Sequence, residues 1–440
     1  MRWTCGLFLI CLSIPAARAE TAAAVVEEAV VPEASSFDWR FSARHTALVY
    51  LTQQAAVTAG PYNSGNRLAE IPSRLLNGEW REDWRLDGSR CNAGADLRLT
   101  AERTLQTDNG VAPSHVSEAY LRTGVVACRF GDGFEARAGR EVLQWGNATF
   151  RSPSNPLFID TGKTQPIREL VGKDVLQLGW RGASGLSVSL LRNTGESGHD
   201  LSAVAPFRSL SALRVDEVDA QQSLGGIASV RDGQGLRLGG YWTRTLSDAW
   251  LVYSDATLRR GSDGLYPLAD ASAPGGWRFA STSDQGLRGA VLGGAAYTFE
   301  SGWSLTGEAL VNNDGYSDAQ RRDARLAVRA GGALWGANGA LASAGAAVLG
   351  DALQPRLPLL GRHYLFVQLL RTEWKNRADL AVRWARNLDD GSSATSLSLT
   401  YFLDDHSQLI WFATANRGDG DGDFSRLIRY SSQLGLRFTL

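Results

Sequence analysis

The side chains in this 440-residue sequence that could do chemistry are spread along it rather than gathered. Arg98, Glu102, Glu118, Tyr120, Arg122, Arg137, Gln177, Glu308, Arg383 and Arg437 are polar or charged with both signs, most of them set between apolar neighbours. Such a polar face holds water and hydrated solutes by charge and hydrogen bonding. It supplies no covalent step, which would need a nucleophile with an oriented base beside it. The five histidines, His45, His115, His199, His363 and His406, are scattered, with no serine distinguished beside them. His45, His115 and His363 fall near predicted strand ends, where a lipid-hydrolysing membrane protein would hold its catalytic groups, so lipid hydrolysis stays a minor alternative and no enzyme is expected. Asp419, Asp421 and Asp423, spaced by glycines, open like a calcium loop. Phe424 then stands where that loop needs glycine and no glutamate closes it, so neither a metal nor any other cofactor is expected.

The elements that must position these side chains are strands. Ala95, Leu97, Leu99 and Ala101 alternate with Asp96, Arg98, Thr100 and Glu102, which places all apolar side chains on one face. Ala119, Leu121, Thr123 and Val125 repeat the pattern, as do Leu176, Leu178 and Trp180, then Trp303 to Val311, then Leu380, Val382 and Trp384. A soluble sandwich would alternate too, so the turns decide. Tight breaks at 88–92, 130–133, 182–185, 247–248, 300–302, 375–377 and 404–407 alternate with long polar stretches at 52–77, 105–114, 146–172, 196–233, 261–285, 314–360, 388–392 and 417–427. That rhythm belongs to an all-β, up-and-down antiparallel transmembrane barrel with short periplasmic turns and long extracellular loops. The count is about 16 strands, within 14 to 18, with 223–230 a candidate extra strand. Closure is required because hydrocarbon offers backbone donors no partner at a free edge.

The N-terminus agrees with export. Arg2, an apolar run from Leu7 to Ile14 and then Ala17-Arg18-Ala19 read as a secretory signal over 1–19, followed by a flexible segment at 20–36 and the barrel at 37–440. No later apolar stretch reaches the ~18 residues of a spanning helix. With the signal go Cys5 and Cys11, leaving Cys91 and Cys128 as a disulfide that pairs neighbouring strands at the periplasmic rim. A formal charge of -1 excludes nucleic acid as a bulk electrostatic partner. Only Lys163, Lys173 and Lys375 among 45 basic residues are lysine, so the polar walls are arginine walls. A GC-rich genome would give the same bias.

At the C-terminus Leu434, Leu436, Phe438 and Leu440 share one face. Gln433, Gly435, Phe438 and Leu440 resemble the terminal signal that barrel-insertion machinery reads in outer-membrane proteins, with Leu where Phe is usual. Glu118-Ala119-Tyr120-Leu121-Arg122, the Gly131-Asp132-Gly133 turn and Gly139 to Gly146 resemble successive hairpin strands of proteobacterial porin-like barrels. The resemblance implies a water-filled channel in the cell outer membrane, surrounded by its lipid and passing small hydrophilic solutes, with a homotrimer as one compatible assembly. It also implies that one long loop enters the lumen. The stretch after Trp145 is the candidate, with Arg151, Asn155, Asp160, Lys163, Arg168 and Glu169 as constriction residues, unless it lies over the mouth instead.

In the loop at 314–360, Ser317 and Gln320 form a capping box for a helix from Asp318 to Arg329 that Gly331 and Gly332 interrupt. It is a lid, a plug or a surface helix. Two other functions stay open: an exporter of an anionic polysaccharide or lipid working with a periplasmic partner, and a plugged structural barrel.

Overall fold

The computed structural model describes residues 39–107, 113–200, 207–337, 339–357 and 359–440. The signal expected at 1–19 and the lead-in at 20–36 lie outside them. Strands β1 (Arg40–Ala56), β2 (Arg74–Asp87), β3 (Cys91–Gln106), β4 (His115–Phe130), β5 (Phe134–Glu141), β6 (Lys173–Arg181), β7 (Leu186–Glu196), β8 (Leu210–Val218), β9 (Gln222–Arg231), β10 (Leu236–Thr245) and β11 (Trp250–Arg260) pair in sequence order. After a loop hairpin, β12 (Leu265–Ala269) and β13 (Trp277–Ser281), the wall resumes. It continues through β14 (Leu287–Thr298), β15 (Trp303–Asn312), β16 (His363–Trp374), β17 (Ala378–Asn387), β18 (Ser393–Phe402), β19 (Ser407–Arg417) and β20 (Ile428–Thr439).

The last strand returns to the first, with Thr46 opposite Thr439 and Ala55 opposite Tyr430, so the antiparallel sheet closes without a free edge. Closure satisfies the backbone wherever hydrocarbon would surround it. The outward face is apolar: Val49, Leu51, Leu99, Leu176, Leu178, Leu190, Leu213, Val291, Leu434 and Leu436 are 39–61% exposed. Water would penalise such a belt, and lipid removes the penalty. The start of β1, the end of β20 and the tight turns 88–90, 131–133, 182–185, 219–221, 246–249, 299–302, 375–377 and 403–406 share one end of the barrel. Cys91 and Cys128 are opposite each other at this turn end and joined by a disulfide.

The wall has 18 strands, not about 16. The two uncounted are β8 and β9: the sequence reading placed both in a loop at 196–233 and offered 223–230, most of β9, as a candidate extra strand. Their inward faces carry Leu210, Ala212 and Ile227, all nearly fully buried, where a water-facing strand would show polar residues. With apolar residues on both faces the two-residue rhythm disappears. The reason lies inside the barrel: these side chains pack against Trp145, Leu157 and Phe158 of the loop 142–172.

The loop 313–362 carries α1 (Asp318–Trp335) and α2 (Ala340–Leu353). Ser317 and Gln320 form the reciprocal capping box. The helix does not stop at Gly331 and Gly332 but runs on to Trp335. Where α2 crosses it the packing needs glycine at 345, since a Cβ there would lie 2.6 Å from the Gly331 carbonyl oxygen, and a Cβ on Gly331 would press on Val348 at 3.0 Å. Ala327, Val328 and Leu349 bury a small core with Tyr62 of the loop after β1 and with Tyr266 and Phe279 of the β12–β13 hairpin. Arg325 reaches Asp421 at 2.7 Å, fastening the helices to the loop before β20.

Candidate functional site

The site is built by one loop crossing the lumen. Residues 142–172 leave β5 and return at Gly172, whose N–H donates to Arg122 O at 2.8 Å. On the far wall, Glu308 accepts from the Thr149 and Phe150 N–H groups at 2.6 and 3.2 Å and from the Tyr253 hydroxyl at 2.6 Å. Asp255 accepts from the Ser154 N–H at 2.6 Å and from the Ser152 hydroxyl. Phe150 stacks on Phe366 with centroids 4.9 Å apart. β10 lets the loop approach because it has Gly239 there, where a Cβ would meet Ser154 O at 2.7 Å. Buried backbone must find partners, and here the wall's side chains supply them.

On the near wall the contacts are guanidinium groups. Arg81 donates to Ile167 O at 2.9 Å, Arg122 to Leu170 O at 3.3 Å and Arg437 to Pro166 O at 3.0 Å. Arg98, only 1% exposed, donates to Glu169 at 2.7 Å and to Asp83 at 2.8 Å. Ile167 packs with Leu48, Ile410 and Phe412. The loop therefore touches wall strands on both sides, and the space it leaves lies against β1–β4, β19 and β20.

Two cavities occupy that space. One of about 490 Å³ lies toward the turn end, lined by Arg44, Arg81, Arg122, Arg168 and Arg437 against Asp83 and Glu169. The other, about 880 Å³, lies toward the loop end and is richer in acids: Glu79, Glu102, Glu118, Asp160, Glu169 and Asp200 against Arg168 and His199. Gln165, Arg168, Glu169 and Leu170 line both, so the chambers meet at this short stretch of loop. Burial pushes the Glu169 carboxyl up, but the Arg98 hydrogen bond and the charges of Arg81 and Arg122 outweigh it and hold the group below the usual glutamate range. Asp160 is likewise raised by burial and then brought below its ordinary value by Arg151, the Gly162 N–H and Arg168.

The residues named from sequence separate into groups. Glu102, Glu118 and Tyr120 line the loop-end chamber, and Arg122 and Arg437 the turn-end one. Arg98 stands behind Glu169. Arg137 pairs with Glu135 at 3.0 Å and with Glu141, and lies opposite Gln177 in register. Glu308 anchors the loop and Arg383 donates to Gln368 at 2.7 Å. Neither of the two chambers includes Arg137, Gln177, Glu308 or Arg383. Of the loop residues, Arg168 and Glu169 face both chambers and Asp160 the outer one, while Arg151 pairs with Asp160 at 2.8 Å. Asn155 is 1% exposed, donating to Leu143 O at 2.8 Å and accepting from the Leu157 and Phe158 N–H groups, so it shapes the loop. Lys163 donates to Ala148 O at 3.2 Å.

Reading the sequence missed Arg44, Arg81, Asp83, Gln165 and His199. His199 stacks on Tyr120 at 4.3 Å and pairs with Glu118 at 3.3 Å. Arg81 and Asp83 sit in β2, whose rhythm is blurred by Glu82 on the outward face. The His115 Nε2 lies 3.0 Å from the Ser117 hydroxyl, but among the described residues no carboxylate pairs with His115. The described residues hold no group of three or more potential metal ligands. In the C-terminal strand Phe438 and Leu440 are exposed, while Gly435 faces Tyr50 and Gln433 reaches the Thr52 hydroxyl at 3.5 Å.

No protein-family model matches the sequence, and no curated protein matches it. The fold, in contrast, is similar to solved structures. OccK11 (OpdR) of Pseudomonas aeruginosa aligns over 91% of this chain and 96% of its own at 12% identity, with a TM-score of 0.55. OccK2 (OpdF) of the same organism, in complex with glucuronate, aligns over 91% and 98% at 13% identity with a TM-score of 0.55. A BenF-like porin from Pseudomonas fluorescens Pf-5 aligns over 91% and 98% at 10% identity with a TM-score of 0.54. At these identities the likeness concerns the fold: a closed porin-type β-barrel.

Proposed function

We propose that this chain is an outer-membrane channel carrying small hydrophilic solutes through an eccentric path between the loop 142–172 and the strands β1–β4, β19 and β20. The observation that carries this reading is the meeting of two water-accessible chambers at Gln165, Arg168, Glu169 and Leu170. A structural plug would bury those residues, whereas here charged side chains remain along a continuous polar lining. The tight turns face the periplasm in this reading, and the helical pair lies beside the outer mouth. Gln433, Gly435, Phe438 and Leu440 serve as the signal for insertion.

The five arginines of the inner chamber outnumber its two acids, which favours small organic anions among the solutes. One structural neighbour was solved with glucuronate, a solute of that class. Reconstitution of the purified barrel in planar bilayers tests the proposal: steady conductance without any added protein, a reversal potential on the anion side, and glucuronate uptake into proteoliposomes are expected. A barrel that is silent alone and conducts only with a periplasmic partner would replace this reading with export, and permanent silence would replace it with a structural role.

A further inference from the structure

At the turn end of β15 and β16 the outward face carries positive charge beside the apolar belt. Arg371 stands opposite Trp303 in the strand register, in line with Leu305 and Leu369. Its guanidinium lies 6.0 Å from the Trp303 ring centroid, and the Lys375 ammonium lies 5.9 Å from that of Trp374. Arg377 completes the turn, and Trp374, Lys375 and Arg377 are all exposed. Among the described residues none of these three cations has an ion-pair partner. The nearby Asp379 is engaged instead by the Glu373 N–H at 2.8 Å. Arg129, at the turn between β4 and β5, shows the contrast, lying 3.8 Å from Glu135.

We propose that Arg371, Lys375 and Arg377, framed by Trp303 and Trp374, bind the phosphodiester headgroup of an anionic phospholipid in the leaflet around the turn end. This rests on the membrane-channel reading above. Indoles settle where acyl chains give way to headgroups, since each ring has an apolar body and a polar N–H. A cation held against such a ring is placed at headgroup depth with its charge uncancelled. Guanidinium also matches the paired oxygens of a phosphate in geometry. The sequence spends one of its three lysines here, and the other two, Lys163 and Lys173, are committed to Ala148 O and to Glu196 and Asp200 inside the barrel.

The test uses the full barrel in detergent, exchanged against an equimolar mixture of phosphatidylglycerol and phosphatidylcholine with identical chains, repurified, and assayed for each lipid per barrel. Phosphatidylglycerol should be enriched, on a scale of roughly fivefold per cation at the headgroup surface. Lys375→Gln should lower the enrichment, and the triple change Arg371→Gln, Lys375→Gln, Arg377→Gln should abolish it, with conductance unchanged as the control for folding. Arg129→Gln should leave it intact. Equal retention of both lipids by the unaltered protein, or enrichment that survives the triple change, overturns the proposal. So does competition by soluble glycerol phosphate at matched concentration, which would mark a site for free phosphate. Failure of the channel reading would look different: the chain would hold neither lipid and stay soluble without detergent.

Discussion

Glu169 accepts a hydrogen bond from Arg98 at 2.7 Å, which makes the carboxylate between the two chambers a fixture of the wall rather than a mobile loop charge. Glu169→Gln removes that charge. A unit charge about 4 Å from a passing ion is worth about 1 kcal/mol even in water, roughly fivefold in local ion concentration. The variant should shift the reversal potential toward anions by an effect of that order. Acid should do the same to the unaltered protein, with a defined window. The group's value lies below the ordinary 4.5, so its charge, and the tether it gives the loop, are fully present above 4.5. Both are lost as pH falls through the lower folded-state value. A selectivity change below pH 4.5 that is equally large in Glu169→Gln would contradict this.

Arg44 is the complementary case. It lines the inner chamber, is exposed, and among the described residues holds no ion pair. Arg44→Gln should therefore reduce anion permeability while changing unfolding stability by less than about 0.5 kcal/mol. Paired recordings of reversal potential and urea unfolding check both halves.

Asp255 holds the loop from the opposite side. Asp255→Ala leaves the Ser154 N–H and Ser152 hydroxyl without their acceptor in a buried setting, at a cost of about 1–3 kcal/mol for each orphaned group. The loop's far end should loosen, and single-channel current should rise in amplitude and in noise. Asp255→Asn, which keeps one acceptor oxygen, should fall between the two. A quiet, unchanged current in Asp255→Ala would mean that the far anchor does not hold the constriction.

The Cys91–Cys128 bridge ties strands that already pair, closing a separation of 37 residues at the turn end. Changing both cysteines to serine should lower stability by about 2–4 kcal/mol and leave conductance unchanged, because no chamber residue lies beside them. Heat-modifiability on gels, with and without reductant, measures the first, and bilayer recording the second.

What the sequence revealed depended on which solvent each face meets. Where the interior is water, in β3 and β4, alternation identified the strands and the opposed cysteines, though not the bulge at Arg122, past which Thr123 and Val125 turn inward instead of sharing the face of Ala119 and Leu121. Where the interior is another part of the chain, Leu210, Ala212 and Ile227 looked like core, so β8 vanished into a loop and β9 surfaced only as the candidate strand 223–230. The same folded loop explains the uneven record of site residues. Arg98, Arg122 and Arg437 were named because they alternate with lipid-facing leucines and phenylalanine, yet only Arg122 and Arg437 line a chamber while Arg98 stands behind Glu169. Asn155 and Lys163 are polar for the sake of the loop's own backbone, a role that composition does not distinguish from lining a pore. Gln165 and His199 lie in segments with no period at all, so no pattern could have singled them out.

β2 breaks the outward pattern in one place, and the break is testable. Glu82 points away from the lumen, between Trp80 and Trp84, yet its side chain is only 16% exposed. Its oxygens accept from His45 Nδ1 at 2.6 Å, from Trp84 Nε1 at 3.2 Å and from Trp80 Nε1. A lone carboxylate facing lipid would be costly, but three donors replace the water it gave up. Removing only the acceptor should be worse than removing the pair. Glu82→Ala strands the His45 donor and both indoles at the lipid face, where each lost partner costs about 1–3 kcal/mol. The double change His45→Phe with Glu82→Leu abolishes the charge and the His45 donor together, leaving only the two indoles without their acceptor. Unfolding in lipid vesicles should accordingly rank the double variant above Glu82→Ala, with conductance equal in both because neither side chain lines a chamber. If Glu82→Ala proved the more stable of the two, the carboxylate would be a burden to the belt, and the hydrogen-bonded cluster would not account for its presence there.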